Sequence, residues 1–136
     1  MSKIGVPNTK FGKLYTEHID FILGKNVEGL LGQYAPDCLL VSSFTPDKKP
    51  LYVRGHKELE QFFRERIFTL ENLDTKIAFW AEDEQKQILM MVEEIHAVMK
   101  DGSKMDCRFY DNWSLKDGKI SVHFAGTVQY PDGSIA

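Results

Sequence analysis

The stretch covering residues 104–130 restricts the possible folds of this chain more than any other part of the sequence. From residue 105 to residue 113, apolar side chains occupy alternate positions, and the side chains of a β-strand point alternately to its two faces. Residues 116–119, Lys-Asp-Gly-Lys, have the composition of a hairpin turn, so a second long strand is predicted over residues 120–130. The pattern therefore predicts a long antiparallel hairpin with one apolar face.

One carboxylate interrupts the apolar row, because Asp111 shares its face with Cys107, Phe109 and Trp113. In an apolar pocket the charged form of a carboxyl is disfavoured, which raises its pKa and suits it to general acid or hydrogen-bond donor work. The structural alternative is an aspartate bonded to backbone or to a partner side chain, since buried carboxylates without a partner are rare. The sequence leaves both interpretations open.

Composition excludes several functional classes for this chain of 136 residues, which is predicted to be one domain over residues 1–136. A net charge of −3 without a basic run argues against nucleic-acid binding. We expect a cytoplasmic protein with no membrane partner, since the sequence has neither a signal peptide nor a membrane-spanning apolar run. Cys38 and Cys107 lack metal-site spacing and are predicted to be reduced thiols. No phosphate-binding loop or cofactor motif is recognisable.

Apolar spacing predicts helices over residues 9–23 and 27–34 and from residue 55 to about residue 67. Thr9 and Asn26 are the predicted N-caps of the first two. Besides the long hairpin, strands are predicted over residues 38–44, 51–53, 74–81 and 87–100, with a loop at residues 45–50. Helices gathered on one face of such a sheet make an α+β domain.

This order of elements resembles the nuclear transport factor 2-like superfamily, and within it the SnoaL-like polyketide cyclases and the ketosteroid isomerases. The segments that carry the resemblance are YAPDCLLVSS, VRGHKELEQFF and FYDNWSLKDGKI. The resemblance implies a cone-shaped, cystatin-like roll, in which N-terminal helices pack on a curved, mainly antiparallel sheet and enclose a pocket. Function does not follow from this fold, which carries enzymes, binding modules and scaffolds alike.

The ketosteroid isomerase site transfers to this chain only in part. In those enzymes a protonated aspartic acid and a tyrosine form an oxyanion hole, and a second aspartate moves the proton. The resemblance places Asp111 at the aspartic acid, His18 at the tyrosine and Ser42 at the base. A serine cannot act as that base, so the chain departs from the isomerase pattern there. SnoaL-like cyclases also use an acid/base aspartate, a role that Asp111 can fill.

The orientation of His123 depends on the register of the long hairpin. A three-residue loop at residues 116–118 would place His123 opposite Asp111, with Ala125 and Thr127 lining the same pocket. A two-residue turn would instead send the neighbours of His123 inward. The resemblance favours the first register, in which the pair keeps the carboxylate ionised and holds the imidazole as a proton donor or acceptor.

The strand at residues 87–100 carries the same ambiguity. A two-residue turn at residues 101–102 places Glu94 and His96 inward, whereas a three-residue loop places Glu93 inward. The resemblance favours the first version. The polar residues that then converge in the pocket are His18, Glu94, His96, Asp111 and His123. Such a set could bind a metal ion, but no local spacing supports a metal site and none is predicted.

Two functional hypotheses follow. The first is a cofactor-independent isomerase, cyclase or related lyase that acts on an apolar carbonyl compound, with Asp111 and either His18 or His123 as acid and base. The second is a non-catalytic domain that binds an apolar small molecule or a partner protein. The remaining predicted pocket residues are Tyr15, Ser42, Cys107, Phe109, Trp113, Ala125 and Thr127.

The resemblance also implies a homodimer that pairs through the outer face of the sheet. The residues assigned to that face are Leu89, Met91, Ile95, Tyr110 and Asn112.

Overall fold

The computed structural model describes residues 5–43 and 49–127, which form three helices packed on one face of a six-stranded sheet. The helices are α1 (Lys10–Leu23), α2 (Val27–Gln33) and α3 (Gly55–Phe62), the last continued by a π-helical turn (Phe63–Ile67). The strands are β1 (Tyr34–Ser42), β2 (Leu51–Arg54), β3 (Glu71–Asp83), β4 (Ile88–Val98), β5 (Lys104–Lys116) and β6 (Lys119–Thr127). Their order is β2-β1-β6-β5-β4-β3; β1 and β6 are parallel and all other neighbours antiparallel. The predicted α+β fold class is confirmed.

The N-terminal helices begin where the sequence predicts. The Thr9 side chain accepts a hydrogen bond from the Gly12 N–H at 3.0 Å, and Asn26 accepts one from the Gly29 N–H at 2.9 Å. Each cap satisfies a backbone donor that the first helical turn leaves unpaired. The side chains that α1 buries against the sheet include Phe11, Tyr15, His18 and Ile19. None of the helices in the described part of the chain is long and apolar enough to cross a membrane.

Strand β1 begins at Tyr34, four residues earlier than the sequence predicts. Tyr34 has extended dihedral angles (φ −107°, ψ 146°) and pairs with Ile120 of β6, so it ends α2 rather than continuing it. The predicted strand end at residue 44, part of the loop at residues 45–50 and the last residues of the final strand lie outside the described residues.

The turn between β5 and β6 has two residues, so the predicted three-residue loop is wrong. Asp117 and Gly118 both have positive φ (52° and 77°), as the two-residue hairpin turn requires. A bulge that leaves Ser121 unpaired then shifts the register by one residue. As a result His123 still points to the inner face, where it pairs with Trp113 rather than with Asp111.

The turn between β4 and β5 has three residues, so the predicted two-residue turn is also wrong. The Met99 N–H donates to the Ser103 carbonyl at 2.8 Å, and Gly102 supplies a positive φ of 87°. Glu94 and His96 therefore lie on the outer face of the sheet. There Glu94 forms ion pairs with Lys76 and Arg108, and His96 contacts Asp106 at 2.6 Å.

The same change in the register of β4 shows that three of the five residues predicted for the outer face lie on the inner face instead. Leu89, Met91 and Ile95 are buried on the inner face, whereas Tyr110 and Asn112 lie half-buried on the outer one. Side chains alternate along a strand, so a change of one residue in register exchanges its two faces.

Candidate functional site

A cavity of about 480 Å³ lies between the inner face of the sheet and the helices α1 and α3. Its walls are mainly apolar, as in typical small-molecule sites; they include Ile19, Leu40, Phe62, Phe63, Ile95 and Phe109. The exposed side chains of Glu65, Arg66 and Lys100 lie at its opening. The buried polar side chains that reach it are His18, Ser42, Thr75, Glu93, Asp111 and His123. The cavity therefore combines apolar walls with a polar inner end.

Asp111 lies at the centre of this polar end and is only 5% exposed. Its Oδ1 atom is 3.1 Å from Nε2 of His123, a contact that runs diagonally from β5 to β6 because Asp111 pairs with Ala125 and His123 with Trp113. Its Oδ2 atom is buried, and the Asp111 side chain also forms a hydrogen bond with the side chain of Glu93. The Asp111 carboxyl is thus held by His123 on one side and by Glu93 on the other.

Tyr34 sets the orientation of the His123 imidazole. The Tyr34 hydroxyl is 2.8 Å from Nδ1 of His123, and burial raises the pKa of this phenol well above its usual range. The hydroxyl therefore stays protonated and donates a hydrogen bond to Nδ1 of His123. Burial lowers the pKa of His123 to about 4, so the ring is neutral at neutral pH and carries its proton on Nε2. Nε2 then donates to Oδ1 of Asp111.

Glu93 and Asp111 form an unequal pair of carboxyls. Burial raises the pKa of Asp111 to about 6, and Glu93 opposes that rise. The pKa of Glu93 is raised further above its usual range, first by burial and then by the negative charge of Asp111. A side-chain hydrogen bond joins the two carboxyls; because Glu93 keeps its proton, it is the donor, and the bond lowers the pKa of Asp111 and raises that of Glu93. Near neutral pH, Asp111 is the base and Glu93 the acid of this pair.

Tyr15 fixes the position of the Glu93 side chain by a hydrogen bond. Its hydroxyl donates to Oε2 of Glu93 at 2.5 Å, and burial followed by the neighbouring Glu93 raises the pKa of this phenol far above its usual range. Tyr15 is therefore a positioning residue for Glu93 and does not line the cavity.

His18 is held as a hydrogen-bond acceptor. Its Nδ1 atom is 3.0 Å from Oε1 of Gln33, whose Nε2 donates to the Leu14 carbonyl at 3.0 Å. The Leu14 carbonyl can only accept a hydrogen bond, so the Gln33 amide directs its NH₂ group to Leu14 and its oxygen to His18. Nδ1 of His18 therefore carries the ring proton. Burial, and then His123, lower the pKa of His18 to about 3, which keeps the ring neutral and Nε2 unprotonated. The position that the resemblance assigns to an oxyanion donor therefore presents an acceptor.

The predicted site residues fall into three groups. Those that line the cavity are His18, Ser42, Phe109, Asp111, His123 and Ala125. Tyr15, Cys107, Trp113 and Thr127 lie outside its lining, Trp113 packing edge-on against the rings of His18 and His123. Glu94 and His96 were predicted to be in the pocket, and the outer-face register shows that this is wrong. Among the described residues, no group of three or more His, Cys, Asp or Glu side chains is arranged to hold a metal ion.

Sequence reasoning missed four contributors to the site, namely Glu93, Tyr34, Gln33 and the buried Thr75 that lines the cavity. The sequence places Glu93 inward only if the loop between β4 and β5 has three residues. Gly102, which supplies the positive φ of that loop, could have favoured this register. Tyr34 and Gln33 act through partners far away in the sequence, and no local pattern marks them.

Comparison with known proteins places this geometry in a family. The family described as "SnoaL-like domain" matches residues 15–123, while none of the curated proteins matches the sequence. The chain is 15% identical to the Δ5-3-ketosteroid isomerase of Mycobacterium sp., with a TM-score of 0.72 over 94% of this chain and 99% of that one.

Two proteins of Mycobacterium tuberculosis have the same fold. Rv0760c, solved in complex with estradiol-17beta-hemisuccinate, is 14% identical over 93% of this chain and 98% of its own, with a TM-score of 0.72. An epoxide hydrolase of the LEH-like type is 9% identical over 84% of this chain and 79% of its own, with a TM-score of 0.65. At such identities the likeness establishes the fold alone, and with the family match it confirms the predicted superfamily.

Proposed function

The chain belongs to the SnoaL-like domain family, and from that premise we propose that its cavity binds an apolar small molecule and that Asp111 exchanges a proton with it. The observation that carries the proposal is the pair of buried carboxyls, Asp111 and Glu93, which line an otherwise apolar cavity and are coupled to each other. Carboxyls buried in apolar surroundings destabilise a fold, so two of them in one cavity point to a function. A coupled pair with pKa values shifted in this way is typical of an acid and a base at a catalytic site.

The proposed reaction is a cofactor-independent isomerisation or cyclisation of an apolar carbonyl compound. Asp111 removes a proton from the carbon next to the carbonyl; the C–H bond breaks, an O–H bond forms on Asp111, and the electron pair moves to the carbonyl oxygen. The protonated Glu93 is the donor that stabilises the resulting enolate. Return of the proton to a different carbon gives the isomer. His123 and Tyr34 hold the Asp111 carboxylate in place throughout.

The neighbouring structures support the size and chemistry of this ligand. One is a ketosteroid isomerase, and another is described in complex with a steroid ester. A cavity of about 480 Å³ with apolar walls falls within the range that holds molecules of this kind.

Deuterium exchange tests the proposal. A panel of cyclic apolar ketones is incubated with the protein in deuterated buffer, and loss of the proton next to the carbonyl is followed by nuclear magnetic resonance. We expect catalysed exchange for at least one ketone and a loss of about 10²-fold or more in D111N. Asp74→Asn, which changes an exposed aspartate of β3, is the matched control and should exchange like the wild type.

A non-catalytic binding domain is the second candidate function. It is favoured by His18 and Ser42, which occupy the oxyanion-donor and base positions of the resemblance without supplying an acid hydrogen or a carboxylate. Ketones that bind in the cavity without any proton exchange would decide for this candidate.

We further infer a homodimer that pairs through the outer face of the sheet. Met90, Asn112, Phe124, Val41 and Tyr52 follow one another as cross-strand neighbours on that face. Met90, Phe124 and Tyr52 are exposed by 52%, 44% and 55%, and an apolar row of this kind is typical of a protein interface.

Sedimentation equilibrium at micromolar concentration tests the dimer. Phe124→Glu places a charge in the row and should give monomers. Leu23→Glu makes the same kind of change at an exposed apolar residue of α1 and should leave the dimer intact. A wild-type protein that is monomeric under these conditions would rule the dimer out.

A further inference from the structure

We propose that the ligand of this cavity carries an anionic group, such as a carboxylate, at its outer end, and that Arg66 and Lys100 bind this group at the opening. The inference rests on the proposed function, because it assumes that the cavity holds an apolar carbonyl compound. It adds the charge of the part of the ligand that stays near the surface and the direction in which the ligand enters. The carbonyl group then lies at the polar inner end of the cavity.

The cavity is elongated, and its two ends differ in polarity. Met105 and Asp111 both line it and are six positions apart on β5. At about 3.3 Å for each strand residue, these positions are about 20 Å apart along the strand. Leu70, Leu73 and Met99, which pack with Met105, also line the cavity and make its outer part apolar. A ligand that reaches from Asp111 to the opening is therefore elongated and apolar between its ends.

A π-helical turn forms part of the opening. The Phe68 N–H donates to the Phe63 carbonyl, five residues earlier, at 2.8 Å. Such a turn contains one residue more than a turn of α-helix, and single π-helical turns are frequent at functional sites. Glu65 and Arg66, which are adjacent in this turn, both line the cavity. Lys100, from the loop between β4 and β5, lines it as well, so cations from two separate elements border the opening.

These two cations are free to bind a ligand. The side chains of Arg66 and Lys100 are exposed, and neither forms an ion pair or a hydrogen bond with another side chain in the described part of the chain. The third charged residue at the opening, Glu65, accepts a hydrogen bond from Nε2 of Gln61 at 3.2 Å. Among the described residues, the opening therefore has an excess of positive charge, although the whole chain has a net charge of −3.

The inner end of the cavity repels an anion, and this determines the direction of entry. Asp111 is ionised at pH 7.5, because its pKa is raised only to about 6. A second negative charge beside it would be unfavourable, since like charges repel each other and an anion loses its water between apolar walls. At the opening, the anion keeps part of its water and gains two cations. An anionic carbonyl compound therefore enters with its carbonyl group first.

Titration of the intact protein at pH 7.5 with three matched ketones tests the inference. All three contain 4-acetylbiphenyl and differ only at the end of a three-carbon chain on the second ring, which bears a carboxylate, a neutral primary amide or an ammonium group. At a salt concentration of about 0.05 M, we expect the carboxylate to bind about fivefold or more tightly than the amide, and the ammonium to bind least tightly. At about 0.5 M the ratio should fall to about twofold or less, because salt screens exposed charges.

A double variant tests whether the two cations are the origin of this preference. Arg66→Gln combined with Lys100→Gln should bring the dissociation constant of the carboxylate to within about twofold of that of the amide, which has no charge and shows whether the cavity is intact. The matched control is Arg64→Gln combined with Lys104→Gln, which removes two exposed cations that do not line the cavity. This control should keep the wild-type preference. Equal loss in both double variants would overturn the inference, because the net charge of the protein would then explain the preference.

The outcomes separate this inference from the proposed function. Equal affinity for the carboxylate and the amide, or tightest binding of the ammonium ketone, would overturn the anionic end and leave a cavity that binds apolar ketones. Failure of all three ketones to bind would count against both proposals. A preference for the carboxylate without deuterium exchange at its acetyl group would support this inference and contradict the catalysis proposed for Asp111.

Discussion

Replacing Asp111 with asparagine should make the protein more stable at neutral pH. The folded protein holds the proton of Asp111 up to pH about 6, because burial raises the pKa, whereas an unfolded chain releases it at about 3.8. A raised folded-state pKa gives stability that is complete below the unfolded value and is lost as the pH rises through the folded value. The difference between 3.8 and about 6 corresponds to about 3 kcal/mol, at about 1.4 kcal/mol for each pH unit.

The variant D111N removes this penalty but also weakens the charge-assisted hydrogen bond from His123. We therefore expect D111N to exceed the wild type by about 1–3 kcal/mol in free energy of unfolding at pH 7.5. The advantage should fall below about 1 kcal/mol at pH 4.5, where the folded wild type is protonated and only the unfolded chain is largely ionised.

Urea denaturation of both proteins at pH 7.5 and 4.5 measures these differences, provided that the slopes with urea agree. Asp74→Asn is the control for loss of an exposed carboxylate and should lie within about 0.5 kcal/mol of the wild type at both values. A D111N protein that is less stable than the wild type at pH 7.5, or a difference that does not change with pH, would refute the reasoning. It would mean that the protein compensates the charge of Asp111 fully.

Three further predictions concern the surroundings of Asp111. In ¹H–¹⁵N spectra at pH 7, His18 should be the neutral Nδ1–H tautomer and His123 the neutral Nε2–H tautomer, because their pKa values are lowered to about 3 and about 4 and their partners direct the protons. Tyr34→Phe should reduce the free energy of unfolding in urea by about 1–3 kcal/mol, since Nδ1 of His123 loses its buried donor. Glu94→Gln and His96→Ala should leave the rate of deuterium exchange into the ketone unchanged, because both side chains lie on the outer face of the sheet.

Each of these predictions has its own control. An Nε2–H tautomer of His18 would contradict the direction assigned to its bond with Gln33. Tyr52→Phe removes an exposed hydroxyl and should change the stability by less than about 0.5 kcal/mol, so an equal effect of the two tyrosine variants would refute the role of Tyr34. Loss of the exchange activity in His96→Ala would mean that β4 has the other register.

The elements of the fold follow from local signals. Alternation over β5 predicted a strand with Asp111 on its apolar face, and Thr9 and Asn26 predicted where two helices begin. These signals arise from neighbours in sequence, since side-chain direction in a strand and capping in a helix depend on the next few residues. Together with the order of the elements, they were enough to identify the superfamily, which the family match confirms.

Only the tertiary structure decided which residues face the cavity at the ends of the hairpins. One residue more or less in a turn exchanges the faces of a strand, so Glu93 replaced Glu94 inside, whereas a bulge kept His123 inside despite the shorter turn. Turn length and bulge position depend on how two strands meet, and similar Asp-Gly turns formed loops of different length here.

The chemistry of the site is likewise a product of the tertiary structure. The sequence by itself determined that a carboxylate stands in an apolar row. The direction of every hydrogen bond around it is set by contacts across the fold, such as Tyr34 with His123, 89 residues apart, and Tyr15 with Glu93, 78 residues apart. Burial and those partners together decide which carboxyl is charged and which imidazole nitrogen carries a proton, because both depend on the folded surroundings of a group rather than on its place in the chain.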